Sequence, residues 1–128
     1  MSKASSKTSL PLHLRFSPGG LTDLEFIAAW GQLRYGSSDL ALRATNPNQA
    51  LVRMVERGDL DARLLEHYHF FASASLRLRL LRDYADDRLS AGDEQPLARS
   101  LGVTRAQLMS ELGLRMAEVR AEFLRQLG

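Results

Sequence analysis

Cysteine is absent from the 128-residue chain. That excludes disulfides, thiolate zinc sites, iron–sulfur clusters and cysteine nucleophiles, and it fits a reducing compartment. Long apolar runs are absent too, since none approaches the roughly 18–20 residues that a membrane span needs. The polar start MSKASSKTS is not followed by an apolar signal core, so a cytoplasmic protein is expected. Charge of one sign is also scarce: 17 Lys and Arg stand against 15 Asp and Glu, a net charge of only +2. Arginine supplies most of the positive charge, and it is not gathered into the clustered basic face that marks a nucleic-acid binder.

What is present is the composition of a globular domain, 45% hydrophobic and 25% charged residues. Residues 1–11 read as a disordered tail and 12–128 as a single domain. LHLRF (12–16) alternates apolar and polar, as a strand or extended arm does. A lone strand needs a partner outside this pattern, for instance in another chain. SPGG (17–20) is a turn signal, after which Leu24, Ile27, Ala28, Gly31 and Tyr35 recur at helical spacing. Thr22 followed by Glu25 reads as a capping box, with Gly36 as the stop. The segment 37–45 carries at most a short helical turn. Asn46, Pro47 and Gly58 bracket a further helix as cap, first helical residue and terminator.

From Asp59 to Leu89 there is neither Gly nor Pro, and Leu60, Leu64, Tyr68, Phe71, Ser75, Leu78, Arg82 and Ala85 recur at near-heptad steps. Leu65, Leu76, Leu80 and Leu81 widen the apolar face in this reading. About 30 helical residues would span ~45 Å. SAGDEQ (90–95) reads as a loop, Pro96 to Leu101 as a short helix closed by Gly102, and Thr104 as the cap of a last helix with Leu108, Leu112, Met116, Val119, Phe123 and Leu127 as its stripe. The predicted fold is all-α: a bundle of about five helices, one long and central, with a short N-terminal extended arm.

Asp23 and Glu25 are the sharpest candidate site. Paired carboxylates can hold a divalent metal for phosphoryl or nucleotidyl transfer. On a helix, however, the two lie ~200° apart, and they equally suit a cap and the positive end of a helix dipole. His67 and His69 sit two apart, on different helix faces, where metal ligands want i,i+4 spacing. Arg77, Arg79 and Arg82 read as a solvated helix face whose stems cover apolar neighbours. LARSLGVTRAQLMSEL (97–112) has a helix-turn-helix pattern in which Arg105 and Gln107 would face DNA, although Glu111 follows and the helix runs on towards Leu127.

In order, these pieces resemble a known family. LRFSPGGLTDLEFIAAWGQLRYG resembles the Lys-x-Gly-x-Gly-Gly-Leu-x-Asp-Ile-Glu-Phe motif of the glutamate–ammonia ligase (glutamine synthetase) adenylyltransferases. RATNPNQALVRMVERGDLD is similar to that family's Asn-Thr…Leu…Gly-x-Leu segment, LLEHYHFFASASLRLRL to its Tyr-x-Phe-Leu-Arg-x-x-Glu-His-Arg-Leu-Gln helix, and LARSLGVTRAQLMSELGLRMAEVRAEFLRQL to its closing helix. The likeness runs from about residue 14 to 127. Arg15 replaces the motif's Lys, and Ser75 and Leu76 replace its Glu-His.

The resemblance implies the helical domain that follows a nucleotidyltransferase core. In the family that core supplies a Gly-Ser…Asp-x-Asp site for ATP and magnesium, for which no counterpart is expected here. It implies catalytic roles for Glu25 and Asp23 only when paired with a core, and nucleotide or phosphate contacts for Arg15, Gly19 and Gly20. The chain alone is then expected to be no enzyme, to hold no metal or cofactor, and to act as a binding or regulatory module. Its implied partners are a nucleotidyltransferase core, glutamine synthetase or a second copy, with a PII-type regulator in the same system and no membrane. The alternatives are a helix-turn-helix DNA-binding regulator and a half-enzyme that completes an adenylyltransferase in trans.

Overall fold

A computed structural model describes residues 12–43, 46–82 and 86–127. The tail expected over 1–11 and Ala85 of the long-helix stripe lie outside the described residues. The chain runs β1 (Leu12–His13), α1 (Leu21–Tyr35), α2 (Leu40–Arg43), α3 (Pro47–Arg57), α4 (Ala62–Arg82), β2 (Arg88–Leu89), α5 (Glu94–Leu101) and α6 (Arg105–Leu127). The architecture is all-α with one small antiparallel pairing, in which Leu12 faces Leu89 and His13 faces Arg88. No helix among the described residues is long and apolar enough to cross a membrane.

The pairing corrects two expectations. The partner of the N-terminal arm lies in the same chain, in the segment read as the end of the long helix. That helix accordingly stops at Arg82 and spans 21 residues, about 32 Å. Arg82 bonds the Asp86 and Arg88 carbonyls and the Asp93 carboxylate, drawing the loop around the helix end. Leu89 then enters the core as a strand residue with no exposed surface. Leu76, Leu80 and Leu81 do not widen the apolar face either: they are 59%, 73% and 50% exposed, while Leu64, Phe71, Ala74 and Leu78 point inward.

The arm also caps the first helix. Gly20 is the N-cap residue and no side chain makes a cap bond, so Thr22 and Glu25 form no capping box. Instead the Leu21 and Thr22 amides donate to the carbonyls of Leu14 and Arg15 at 3.0 and 2.9 Å, which meets the need of a helix's first N–H groups for partners. The reciprocal box occurs at α6, where the Gln107 amide donates to the Thr104 hydroxyl at 3.0 Å and the Gln107 side chain accepts from the Thr104 amide at 2.9 Å. For α3 the cap, proline and terminator fall as read: Asn46 accepts from the Gln49 amide at 2.9 Å and Gly58 closes the helix in the left-handed region. α5 starts at Glu94, two residues ahead of Pro96, and ends at Gly102.

α1 packs on α3 and α6, and α4 lies against α3, α5 and α6. Phe71, Leu24, Ile27, Leu51, Met54 and Leu112 are fully buried where these helices meet. α1 and α6 run parallel in constant register. Gly19 lies on the Met116 backbone, Asp23 bonds Arg120 at 3.0 Å, and the Phe26 and Phe123 rings meet at 5.2 Å, each pair 97 residues apart. Gly19 makes that approach possible: a Cβ there would sit 2.1 Å from the Met116 carbonyl oxygen, and its φ is +89°. Gly19→Ala is therefore expected to cost about 3 kcal/mol or more, through clash and left-handed strain together. Thr104→Ala should cost about 1 kcal/mol. Urea unfolding followed by circular dichroism checks both.

Candidate functional site

The arm and the start of α1 hold all five residues proposed for the site. Arg15 donates from Nη1 to both Glu25 oxygens, at 2.8 and 2.9 Å. The pair is about one third exposed. Asp23 points elsewhere, accepting from the Gly19 amide at 2.7 Å and from Arg120 at 3.0 Å. The two carboxylates are thus not brought together, as their angular separation on a helix requires. The Gly20 amide donates to the Ser17 carbonyl at 2.9 Å, so both glycine N–H groups are engaged within the turn.

Behind Arg15 lies a residue that the sequence reading missed. Asp87 is 4% exposed. It receives Arg79 through Nε and Nη2, both at 3.1 Å, and the Ser75 hydroxyl, while Arg15 Nε approaches at 3.4 Å. Its own carbonyl accepts from the Leu14 amide at 2.9 Å. Burial disfavours the Asp87 charge, but hydrogen bonds from Arg79 and Ser75 and the charges of Arg79 and Arg15 outweigh it and hold the carboxyl below its ordinary range. Arg15 is pushed the other way, chiefly by its hydrogen bond to Glu25, against burial and with help from the Asp87 charge. The signal was present in the sequence: a serine at a core position of α4, and an acidic pair just after a stretch of arginines with no acid of its own. Ser75 is 5% exposed and serves Asp87, whereas Leu76 faces outward.

The arginines read as a solvated face do more than solvate α4. Arg79 binds Asp87, and Arg77 donates to the Ser100 carbonyl at 2.6 Å, fastening α4 to α5. His67 and His69 do face apart. His67 is buried against Glu118 at 2.6 Å, and His69 meets Asn48 at 2.9 Å. In the helix-turn-helix, Arg105 pairs with Glu94 at 3.0 Å and Gln107 belongs to the cap, so both residues that would face DNA are held in the chain.

The strings Gly36-Ser37 and Asp59-Leu60-Asp61 do occur in the sequence, so Gly-Ser and Asp-x-Asp are not absent as text. Asp59 receives Arg57 at 2.7 Å, and Asp61 receives the Arg63 amide at 2.9 Å as α4 begins. Among the described residues no group of three or more His, Cys, Asp or Glu side chains could hold a metal ion.

Comparison with known proteins sets this geometry in context. The profile of the family described as GlnD PII-uridylyltransferase matches residues 2–127. Among curated proteins, the bifunctional glutamine synthetase adenylyltransferase/adenylyl-removing enzyme of Xanthomonas campestris pv. campestris is 31% identical over 117 residues, covering 86% of this chain and 12% of the relative. The protein of the same description from Ralstonia nicotianae is 30% identical over 118 residues, covering 87% of this chain and 12% of the relative. The chain thus spans about an eighth of the length of the curated relatives it matches. No solved structure matches it significantly.

Asp87 sets an acid limit on the fold. Its folded pKa lies below the unfolded value of about 3.9, so its contribution is complete above that value and is lost as pH falls through the lower folded one. Asp87→Asn should lower stability at pH 7 by about 1–2 kcal/mol, because it weakens the hydrogen bonds from Arg79 and Arg15, two partly solvated arginines, to a buried acceptor. It should also flatten the acid limb of a plot of urea midpoint against pH.

Proposed function

The chain belongs to the GlnD PII-uridylyltransferase family, and from that premise we propose that it is a helical binding or regulatory module, not catalytic by itself, that works beside a nucleotidyltransferase core. One observation carries the reading. The side chains of Arg15, Asp23 and Glu25 each have a partner inside the chain, yet the Arg15–Glu25 pair remains a third exposed at the surface. An arrangement of this kind offers a fixed charged contact to a neighbour and no unsatisfied nucleophile, base or metal cradle of its own. The ion pair sits on a backbone braced by Asp87, so its geometry is set before a partner arrives. Preorganisation of that kind reduces the ordering cost of association.

In this proposal ATP and magnesium belong to the core, and Arg15 meets the core or a phosphate held there. The relatives are glutamine synthetase adenylyltransferases, which supports glutamine synthetase as the protein acted on by the complete assembly, and the family's description names PII, which supports a PII-type protein as a further partner. Self-association is the third partner class to test.

The experiment uses the Xanthomonas campestris relative with its matching segment deleted, this chain added in trans, and AMP transfer to glutamine synthetase as the readout. The chain alone should transfer no AMP, and it should bind the truncated relative. Glu25→Gln should weaken that binding at least several-fold while the melting temperature moves by no more than a few degrees, since the lost pair is partly solvated. Failure to bind the truncated relative at any concentration up to 100-fold excess would overturn the module reading. If Glu25→Gln leaves binding intact and abolishes AMP transfer, Glu25 acts in the chemistry and the half-enzyme reading replaces it.

A further inference from the structure

Away from the arm, α4 and α6 enclose a polar cluster for which the proposed function has no use. We propose that His67 is a proton-operated latch on Arg115: the neutral ring holds the guanidinium across the α4–α6 seam, and a second proton on the ring releases it into an adjoining cavity.

The hydrogen-bond roles fix the resting state. Arg115 Nη1 lies 3.0 Å from His67 Nδ1. A guanidinium only donates, so Nδ1 is the acceptor and the ring hydrogen resides on Nε2. Nε2 faces Glu118 Oε1 at 2.6 Å, where it donates to a carboxylate. Both ring nitrogens are therefore satisfied in one tautomer, on a side chain that is 4% exposed. A second proton has a single place to go, Nδ1, where it would meet the hydrogens of Arg115. Imidazolium and guanidinium cannot share that contact, so one must leave, and the buried ring has less room to move.

Arg115 has somewhere to go. Its Nε holds Glu111 at 2.8 Å, and its guanidinium carbon lies 4.4 Å from the centre of the Phe70 ring. These groups line a cavity of about 360 Å³ with Leu101, Val103, Gln107 and Leu108, beside the turn between α5 and α6. Swinging about Glu111 would carry the guanidinium off the histidine and along this wall. The charged groups facing His67 are Glu118 and Arg115 from α6 and Arg63 from its own helix, with Arg63 also bonded to Glu118 at 2.6 Å. Burial and the two arginines hold the ring below its ordinary range against the pull of Glu118, so the latch is closed at neutral pH and opens on the acid side. The unfolded chain takes up this proton first, so His67 makes stability fall as pH drops below about 6.5.

The test is nuclear magnetic resonance of the full ¹⁵N,¹³C-labelled chain between pH 8 and 5. His67 should show the Nε2–H tautomer and a midpoint below about 6.5. The Arg115 Nε signal and the methyl signals of Leu101, Val103 and Leu108 should move with that same midpoint. Arg115→Met should raise the midpoint by about half a unit or more, and Glu118→Gln should lower it. An Nδ1–H tautomer, methyl signals that stay still through the His67 transition, or a midpoint unchanged in Arg115→Met would overturn the proposal. Should either variant fail to fold, the tautomer and the shared midpoint of the unaltered chain still decide.

Discussion

The buried Asp87 carboxylate is the constraint on which the site end of the molecule depends. It lies where the N-terminal arm, the second half of α4 and strand β2 converge, and it satisfies a guanidinium from α4 and approaches one from the arm. A charge removed from water in this way is costly unless it is paired and hydrogen-bonded on several sides. Ser75, Arg79 and Arg15 supply those partners. Because Asp87 also anchors the Leu14 amide through its carbonyl, and Leu14 in turn caps α1, one residue sets the path of the arm, the start of the first helix and the position of Arg15. The surface ion pair with Glu25 is the outermost layer of an arrangement determined beneath it.

That layering also explains what the sequence could and could not disclose. Local signals were legible where the chemistry is local. Asn46, Pro47 and Gly58 fix α3, Gly102 ends α5 and Thr104 begins α6, because each cap is made by residues within a few positions of one another. The apolar stripe of α6 was readable through Phe123, which packs against the core, whereas Leu127 at the helix end is exposed. Thr22 and Glu25 match the capping pattern, yet tertiary contacts take over: Glu25 is drawn to Arg15, and the helix amides find backbone carbonyls of the arm instead. The end of α4 was misread because Leu89 fits a helical stripe and a strand equally well. Only its pairing with Leu12 decides, and that contact spans most of the chain.

The site divides in the same way. Arg15, Asp23, Glu25, Gly19 and Gly20 were singled out from the motif, but the distant residues they touch were not, since Arg120, Met116 and Asp87 are far away in sequence. The replacement of Glu-His by Ser75-Leu76 looked like a loss when viewed as a string of letters. In the fold Ser75 is a donor to a carboxylate contributed by another segment, and Leu76 stands outside the core. An acidic group is thus present beside position 75, delivered from Asp87.

The parallel register of α1 and α6 has a kinetic consequence. Gly19, Asp23 and Phe26 find their partners 97 residues later in the chain. At typical synthesis rates that is a wait on the order of 5–20 s on the ribosome. During that interval one side of the first helix has no neighbour to cover it. Closing so long a loop is slow compared with forming the helices themselves. The segment that carries the candidate site is synthesised well before the helix that completes it, so its nascent form stays open to chaperones, proteases and premature association for that interval.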